Sequence, residues 1–371
     1  MTTGDHSVAD ENALAGDTGW MIDTDDGDPA FGVYARPLSV ERGERVALFA
    51  TAPAQSAASF AVYRLGWYDG KGGRRHADGT FDIGPQSAPA IDPATGRVEC
   101  AWTESFGVRV ADDWTPGYYV ARVQLADGRA RYAPFIVKDR RRADVIAVLP
   151  TATDQAYNDW GGESLYVDTR FGFPVGHAYE VSYDRPFNAA LGAGVSFASS
   201  LPALRWLEAN GYDVTYLADH DVGGDPAQLT RGRLVMALAH DEYWSRAMRD
   251  NYEAARAAGV SLAFLGANTA FWQVRFAAAP DGTPNRRQIG YKEAADLDPV
   301  RHVDDANVSG EFAGPVLNRP ENALLGVRTL DWFMIDFPWV VRNASSWVYQ
   351  GSGLGDGDLL PGLVGLEADG I

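Results

Sequence analysis

Four consecutive residues, His240-Asp241-Glu242-Tyr243, set an imidazole, two carboxylates and a phenol side by side directly after the apolar run Arg233–Ala239. Imidazole and carboxylate are the usual agents of proton transfer, and a phenol beside a carboxylate offers hard oxygen donors to a cation. Similar residues follow three other apolar runs. Tyr157, Asn158, Asp159 and Trp160 come after Asp144–Leu149, and Asp219-His220-Asp221 after Asp213–Leu217. Asn268, Phe271, Trp272, Gln273 and Arg275 come after Ser261–Gly266. His240, Glu242 and Asp219 are therefore the candidate proton carriers. Tyr157, Asn158, Trp160, Asn268, Phe271, Trp272 and Arg275 are the candidate substrate contacts.

Other chemistries fit less well. No Ser or Cys stands directly after a strand, GxSxG is absent, and the single cysteine, Cys100, lies in the other half of the chain. Serine- or cysteine-based hydrolysis is thereby disfavoured, and Ser245 is better explained as a helix cap. HExxH and an EF-hand loop are absent, and His220, His240 and His302 are too scattered for zinc. Oxygen donors are plentiful: Tyr157, Asp219, Glu242, Tyr243 and Glu311. Phenolates suit ferric iron, Fe(III), better than zinc or copper, because only a strong Lewis acid ionises a phenol of pKa ~10 at neutral pH.

The elements that position these residues fall into two domains. Over 25–140, short strands such as Arg45–Thr51, Ser59–Leu65, Arg97–Thr103, Gly117–Gln124 and Tyr132–Val137 are broken by Gly, Pro and Asp. They predict an antiparallel β-sandwich. Its glycine-rich loop Gly66–Gly73 carries two aromatics expected to be exposed, Trp67 and Tyr68. The charged run Lys138–Arg142 marks the seam. Over 141–371, apolar strands alternate with helices over Ser196–Asn210 and Ser245–Ala258, which predicts a parallel α/β domain. Ligands of such sheets bind beyond the strands' carboxyl ends, where the polar and aromatic residues above are gathered. Further on, Trp339–Arg342 and Trp347–Gln350 are expected to pair as strands.

Residues 1–24 are polar and lack the order of a signal peptide, so a disordered leader is expected, and a cytoplasmic protein. The apolar, glycine-rich run Leu359–Leu366 close to Ile371 suggests a truncated C-terminus. A net charge of −18 disfavours nucleic acid or an anionic membrane as partner, and no apolar run is long enough to cross a bilayer.

Several segments resemble the large (beta) subunit family of N,N-dimethylformamidase, particularly its actinobacterial relatives. They are Tyr63–Tyr68, Ala156–Gly162, Ser182–Pro186, His240–Ser245, Gly266–Asn268 with Phe271-Trp272, and Pro361–Gly365. The resemblance implies a β-sandwich joined to a glutamine-amidotransferase-like, flavodoxin-like α/β domain. It implies a ferric ion held by two tyrosines and a glutamate, and water activated against a small amide. It also implies a small partner subunit, and a homo-oligomer is possible. Carried onto this sequence, Tyr243 matches one ligand tyrosine and Glu311 the glutamate, with Glu321 a rival. For the second tyrosine, Tyr157 has the right strand end, Tyr212 the wrong one, and Tyr216 points from a strand interior. The chain departs from its relatives at Gly314–Asn318, where they tend to have a Trp-Arg pair. A reading from another class is a non-catalytic protein on the same scaffold, whose aromatic loops, including Trp67 and Tyr68, bind a glycan or a partner.

Overall fold

The computed structural model describes residues 7–23, 28–168, 176–332, 337–364 and 367–370. It is a mixed α/β structure with several antiparallel and parallel sheets and few helices. The first part holds α1 (Val8–Asn12) and eight strands: β1 (Gly32–Arg36), β2 (Ser39–Val40), β3 (Arg45–Thr51), β4 (Ser56–Leu65), β5 (Gly73–Ile83), β6 (Phe106–Arg109), β7 (Gly117–Leu125) and β8 (Ala130–Val137). One sheet runs β1-β3-β6 and the other β2-β8-β7-β4-β5. Both contribute to a single core, with Val33, Leu48 and Ala50 meeting Val62, Tyr119, Ala121 and Phe135. The period-2 geometry of a strand sends alternate β7 side chains to opposite faces. Tyr119, Ala121 and Val123 enter this core, while Tyr118 and Val120 enter a second one shared with the α/β part.

Three expectations for this part change. Arg97–Thr103 is not a strand: Val98 makes one isolated bridge to Ile91. The segment is drawn across to the second part instead, Cys100 N–H donating to the Asp184 carbonyl at 2.7 Å. Trp67 is exposed, but Tyr68 is buried, its hydroxyl donating to Glu11 at 2.9 Å. That contact also orders the supposed leader. Ser7 caps α1, and the Glu11 carboxylate takes bonds from Tyr68 and Arg74. Residues 1–6 and 24 lie outside the described residues.

The second part contains β9 (Ala143–Leu149), α2 (Thr151–Tyr157), β10 (Glu180–Ser182), α3 (Phe197–Ala209), β11 (Val214–Ala218), α4 (Asp219–Gly224), β12 (Gly232–Ala237), β13 (Tyr243–Ser245), α5 (Arg246–Ala257), β14 (Ser261–Phe264), β15 (Trp272–Ala277) and β16 (Arg287–Ile289). Strands β11-β9-β12-β14 form an all-parallel sheet. Strands β10-β16-β15-β13 form a second sheet, in which β13 and β15 are parallel and the other pairs antiparallel. Ser245 caps α5, its Oγ accepting from Met248 N–H at 3.2 Å. Met248, Tyr252 and Ala255, at helical spacing, turn inward against Ile146, Val148 and Val235.

Last come α6 (Asn322–Leu325), β17 (Arg328–Trp332), β18 (Phe337–Val340), β19 (Leu359–Val364) and β20 (Glu367–Gly370). Here β18 pairs with β19, and Trp347–Tyr349 is a single 3-10 turn, so the strand pair expected at Trp347–Gln350 does not form. Asn343 takes a left-handed φ of 55° and starts a turn closed by Ser346 N–H on its carbonyl, which ends the extended run. Among the described residues no helix is long and apolar enough to cross a membrane.

Candidate active site

All four loops at the carboxyl ends of the parallel sheet carry chemistry-bearing residues, and those after β9, β12 and β14 meet. After β9, the helix α2 ends at Tyr157, and the loop that follows brings back Tyr166. After β12 comes His240-Asp241-Glu242. Thr153 of α2 ties the two segments together, its Oγ1 accepting from Glu242 N–H at 2.9 Å. Trp272 N–H donates to the Glu242 carbonyl at 3.0 Å, and Ala270 N–H to that of Asp241 at 3.0 Å. The loop's backbone is therefore held from both sides.

The Glu242 carboxylate is the centre of the cluster. Tyr157 donates to its Oε2 at 3.0 Å, and Tyr166 lies 3.0 Å from Oε1 and 2.9 Å from Oε2. His240 Nε2 stands 3.2 Å from Oε2 and 3.3 Å from the Tyr157 hydroxyl. Its Nδ1 lies 2.9 Å from the Ala267 carbonyl, which can only accept. Nδ1 therefore carries the proton, and Nε2 faces the cluster. Tyr243 stands one position further out, donating to the Tyr166 hydroxyl at 2.7 Å. Lys292 closes the other side, with Nζ 3.6 Å from the centre of the Tyr166 ring and donating to the Leu165 carbonyl at 3.0 Å.

Electrostatics here oppose ionisation of the phenols. Burial raises the Tyr166 pKa far above the usual phenol range, and the charges that Tyr243 and Glu242 can carry push it the same way. Tyr243 is raised by burial and by Glu242, with its bond to Tyr166 working against the rise. Burial lowers the pKa of Lys292, while Glu293 and Glu242 counter the fall. Tyr166 and Tyr243 therefore remain neutral unless a cation joins them.

The structure separates the residues read from the sequence. Tyr157, His240 and Glu242 are brought together. Glu311 is not: it lines a neighbouring cavity of about 380 Å3 with Trp272, Lys292 and Val316. Among the described residues no hydrogen bond joins it to the tyrosines. Its backbone forms an isolated bridge with Trp272. Asp219 faces the start of α2 instead, accepting from Ala152 N–H at 2.8 Å. Burial and the nearby Asp241 carboxylate raise its pKa, and the buried Asp241 is pushed up to about 7. Glu321 is buried away from the cluster, near Glu311 and Arg249.

Several substrate-contact candidates are committed to the fold. The Asn158 side chain donates to Gln155 and the Pro186 carbonyl and accepts from Trp160 and Asn188 N–H. Trp160 stacks edge-on against Trp102 of the first part, with centroids 5.8 Å apart. Arg275 lies within β15, forked onto Asp298 at 2.6 and 2.8 Å. Asn268 accepts from Thr329 at 3.0 Å. Phe271 and Trp272 pack beside Tyr157 and Tyr243 and do wall the cluster. Sequence reasoning missed Tyr166, which follows no apolar run and sits at no helix end. Its only cue is membership of the long irregular connection after α2.

Among the described residues no group of three or more His, Cys, Asp or Glu could hold a metal ion. Tyr157, Tyr166 and Glu242 form an all-oxygen cluster in which two phenol oxygens converge on one carboxylate.

This is a mixed α/β protein with an oxygen-rich cluster at the carboxyl ends of its parallel sheet. The chain belongs to the N,N-dimethylformamidase beta subunit-like, C-terminal family, which it matches over residues 59–371. The N,N-dimethylformamidase beta subunits of an Alcaligenes species and of Paracoccus aminophilus are each 24% identical to it over 219 residues. Each alignment covers 47% of this chain but only 28% of the relative. Similarity to solved structures is slight. An uncharacterized protein from Bacillus anthracis str. Ames gives a TM-score of 0.18 at 15% identity, covering 28% of this chain and 78% of that one. A Paenibacillus cycloisomaltooligosaccharide glucanotransferase gives 0.20 at 15% identity, covering 34% and 17%. Neither carries an argument.

Proposed function

We propose that this chain carries the active site of a ferric-iron-dependent hydrolase of small amides, acting on a linear amide C–N bond. The observation that carries the reading is that the hydroxyls of Tyr157 and Tyr166 both lie within 3.0 Å of the Glu242 carboxylate. In this reading Tyr166 and Glu242 take the places expected of Tyr243 and Glu311. The family supports the amide; the donor set supports the metal.

When bound, ferric iron would supply Lewis acidity to the amide carbonyl and lower the pKa of water. The chain's own residues do the rest. His240 Nε2 takes a proton as water oxygen bonds to the carbonyl carbon, and returns it to nitrogen as the C–N bond breaks. The Ala267 carbonyl keeps the imidazole in the tautomer this needs. Tyr243 donates to Tyr166 oxygen and so stabilises negative charge there. Phe271 and Trp272 keep water away from one side of the cluster. The 380 Å3 cavity beyond Trp272 and Lys292, walled by Pro315, Val316 and Leu317 where the sequence departs from its relatives, is the proposed seat of the amide's substituents. A small partner subunit and assembly into a homo-oligomer belong to the same reading, as does the glutamine-amidotransferase-like layout of the second part.

The test is metal content and visible absorption of the protein purified without chelator. Near-stoichiometric iron with a phenolate-to-iron band, lost in Tyr166→Phe, supports the site. Colourless protein that stays metal-free when ferric iron is offered leaves the non-catalytic binding reading in its place.

A further inference from the structure

Arg185 is buried, and among the described residues no carboxylate lies within ion-pair range of it. Its pKa falls to about 10 because burial outweighs the negative charge that Cys100, Asp159 and Glu163 can offer. A bare guanidinium inside a protein costs several kcal/mol unless dipoles replace the lost water. Here backbone carbonyls do so. Nη1 donates to Trp160 O at 3.0 Å and Glu163 O at 2.8 Å, and Nη2 to Asn158 O at 2.6 Å.

All three carbonyls belong to the short arc of chain between Tyr157 and Tyr166. The arc turns inward through Gly161 and Gly162, at φ of 85° and 99°, a region that disfavours any side chain. At Gly161 a Cβ would lie 2.7 Å from Val98 of the first part. Asn158 fastens the arc to the same segment that carries Arg185, through Pro186 O at 2.9 Å and Asn188 N–H at 3.0 Å. The arc thus winds around one cation, and its two ends carry the phenols that meet at Glu242.

We infer that Arg185 is a positioning residue for the site: by gathering the carbonyls of residues 158, 160 and 163, it sets the separation of Tyr157 and Tyr166 before any ligand binds. The inference rests on the ferric reading for its consequence, but not for its geometry. Only a planar fork serves three carbonyls in fixed directions; an ammonium keeps the charge and loses that arrangement.

Hydrogen exchange of the metal-free protein and ferric titration test this together. In metal-free wild type, amides of residues 158–166 should be protected comparably to β9; an arc that exchanges freely until iron is added overturns the inference without any variant. In Arg185→Lys, exchange in 158–166 should rise at least tenfold while β9 and α5 are unchanged, and ferric affinity should fall at least tenfold. Equal loosening of β9 and α5, or a variant that does not fold, makes Arg185 a residue of the fold and sinks the positioning role. Unchanged exchange in the arc does so as well. If wild type binds no ferric iron, the proposed function fails, and the exchange data still decide the role of Arg185.

Discussion

Tyr243 donates its hydroxyl proton to the oxygen of Tyr166, 2.7 Å away, and not to Glu242. Tyr166 in turn spans both oxygens of that carboxylate. The order Tyr243, Tyr166, Glu242 ranks the two phenols: one borders the carboxylate, and the other supports it from behind.

That ranking predicts different spectra. Tyr166→Phe, Tyr157→Phe and Glu242→Gln should each lose ferric iron and its visible band, with amide hydrolysis down at least 100-fold. Tyr243→Phe should keep the metal, shift the band to lower energy as a donor to Tyr166 is lost, and cost less than about tenfold. Loss of iron from Tyr243→Phe with iron kept in Tyr166→Phe would reverse the assignment.

His240 bears on turnover and not on metal retention. His240→Ala should lower kcat by roughly 10²–10⁴, the usual contribution of a general base, with iron content within a factor of two of wild type. Measured iron and single-turnover rates on the same preparation separate the two effects.

Bound iron stabilises only the folded chain, so its removal should show as a lower Tm. A ligand at 100 times its Kd contributes about 2.7 kcal/mol. Chelation should therefore lower the Tm by several degrees in wild type and leave that of Tyr166→Phe unmoved.

Asp154 lies in α2, three residues before Tyr157. Burial pushes it up to about 7, although Ser196 donates to it from both N–H and hydroxyl. An unfolded Asp titrates near 3.9, so the folded state holds the proton more tightly. The contribution is full below pH ~4 and is lost as pH rises toward 7. Asp154→Asn should flatten that decline and gain about 2–4 kcal/mol on wild type between pH 4 and pH 8, at ~1.4 kcal/mol per pKa unit. Urea unfolding at the two pH values checks it; an unchanged pH dependence refutes it.

The N-terminal contact titrates in the opposite sense. Burial works against the charge on Glu11, but bonds from His76 and Tyr68 and the charge of Arg64 bring it down to about 2. Its stabilisation is present above the unfolded value near 4.3 and is lost as pH falls from there toward 2. Burial also lowers His76, despite the Glu11 bond, so further stability is lost as pH drops below about 6.5. The contribution of this contact should shrink from pH 6.5 downward, against the gain from Asp154 over the same range. Glu11→Gln should lose the part below pH ~4.5, read by thermal unfolding across that range.

Local patterning in the sequence was a good guide where one face is buried against one partner. Arg45–Thr51 alternates and is a strand over those same residues, and Ser245 caps the helix whose Met248 and Tyr252 turn inward. It misled where a distant segment competes. Arg97–Thr103 has strand composition, but its backbone bonds across to Asp184. Tyr68 sits in a polar-looking loop yet fills a hole lined by Glu11 and Arg64. Tyr243, matched to a ligand tyrosine by the family resemblance, bonds to Tyr166 and not to Glu242. Tyr166 left no local trace, because what delivers it is an arc folded around Arg185, nineteen residues further on.

The core joining Tyr118, Val120 and Leu65 of the first part to Val145, Leu204 and Tyr216 of the second has a practical corollary. Through it runs the fully buried pair Arg64–Glu208, at 2.7 Å, with Tyr216 also on Glu208. A cut at residue 140 would strand a guanidinium on one fragment and a carboxylate on the other, each facing water through freshly bared aromatics. Engineers who wish to shorten this protein, or to graft its loops onto a relative, must therefore carry both halves of that joint as one cassette.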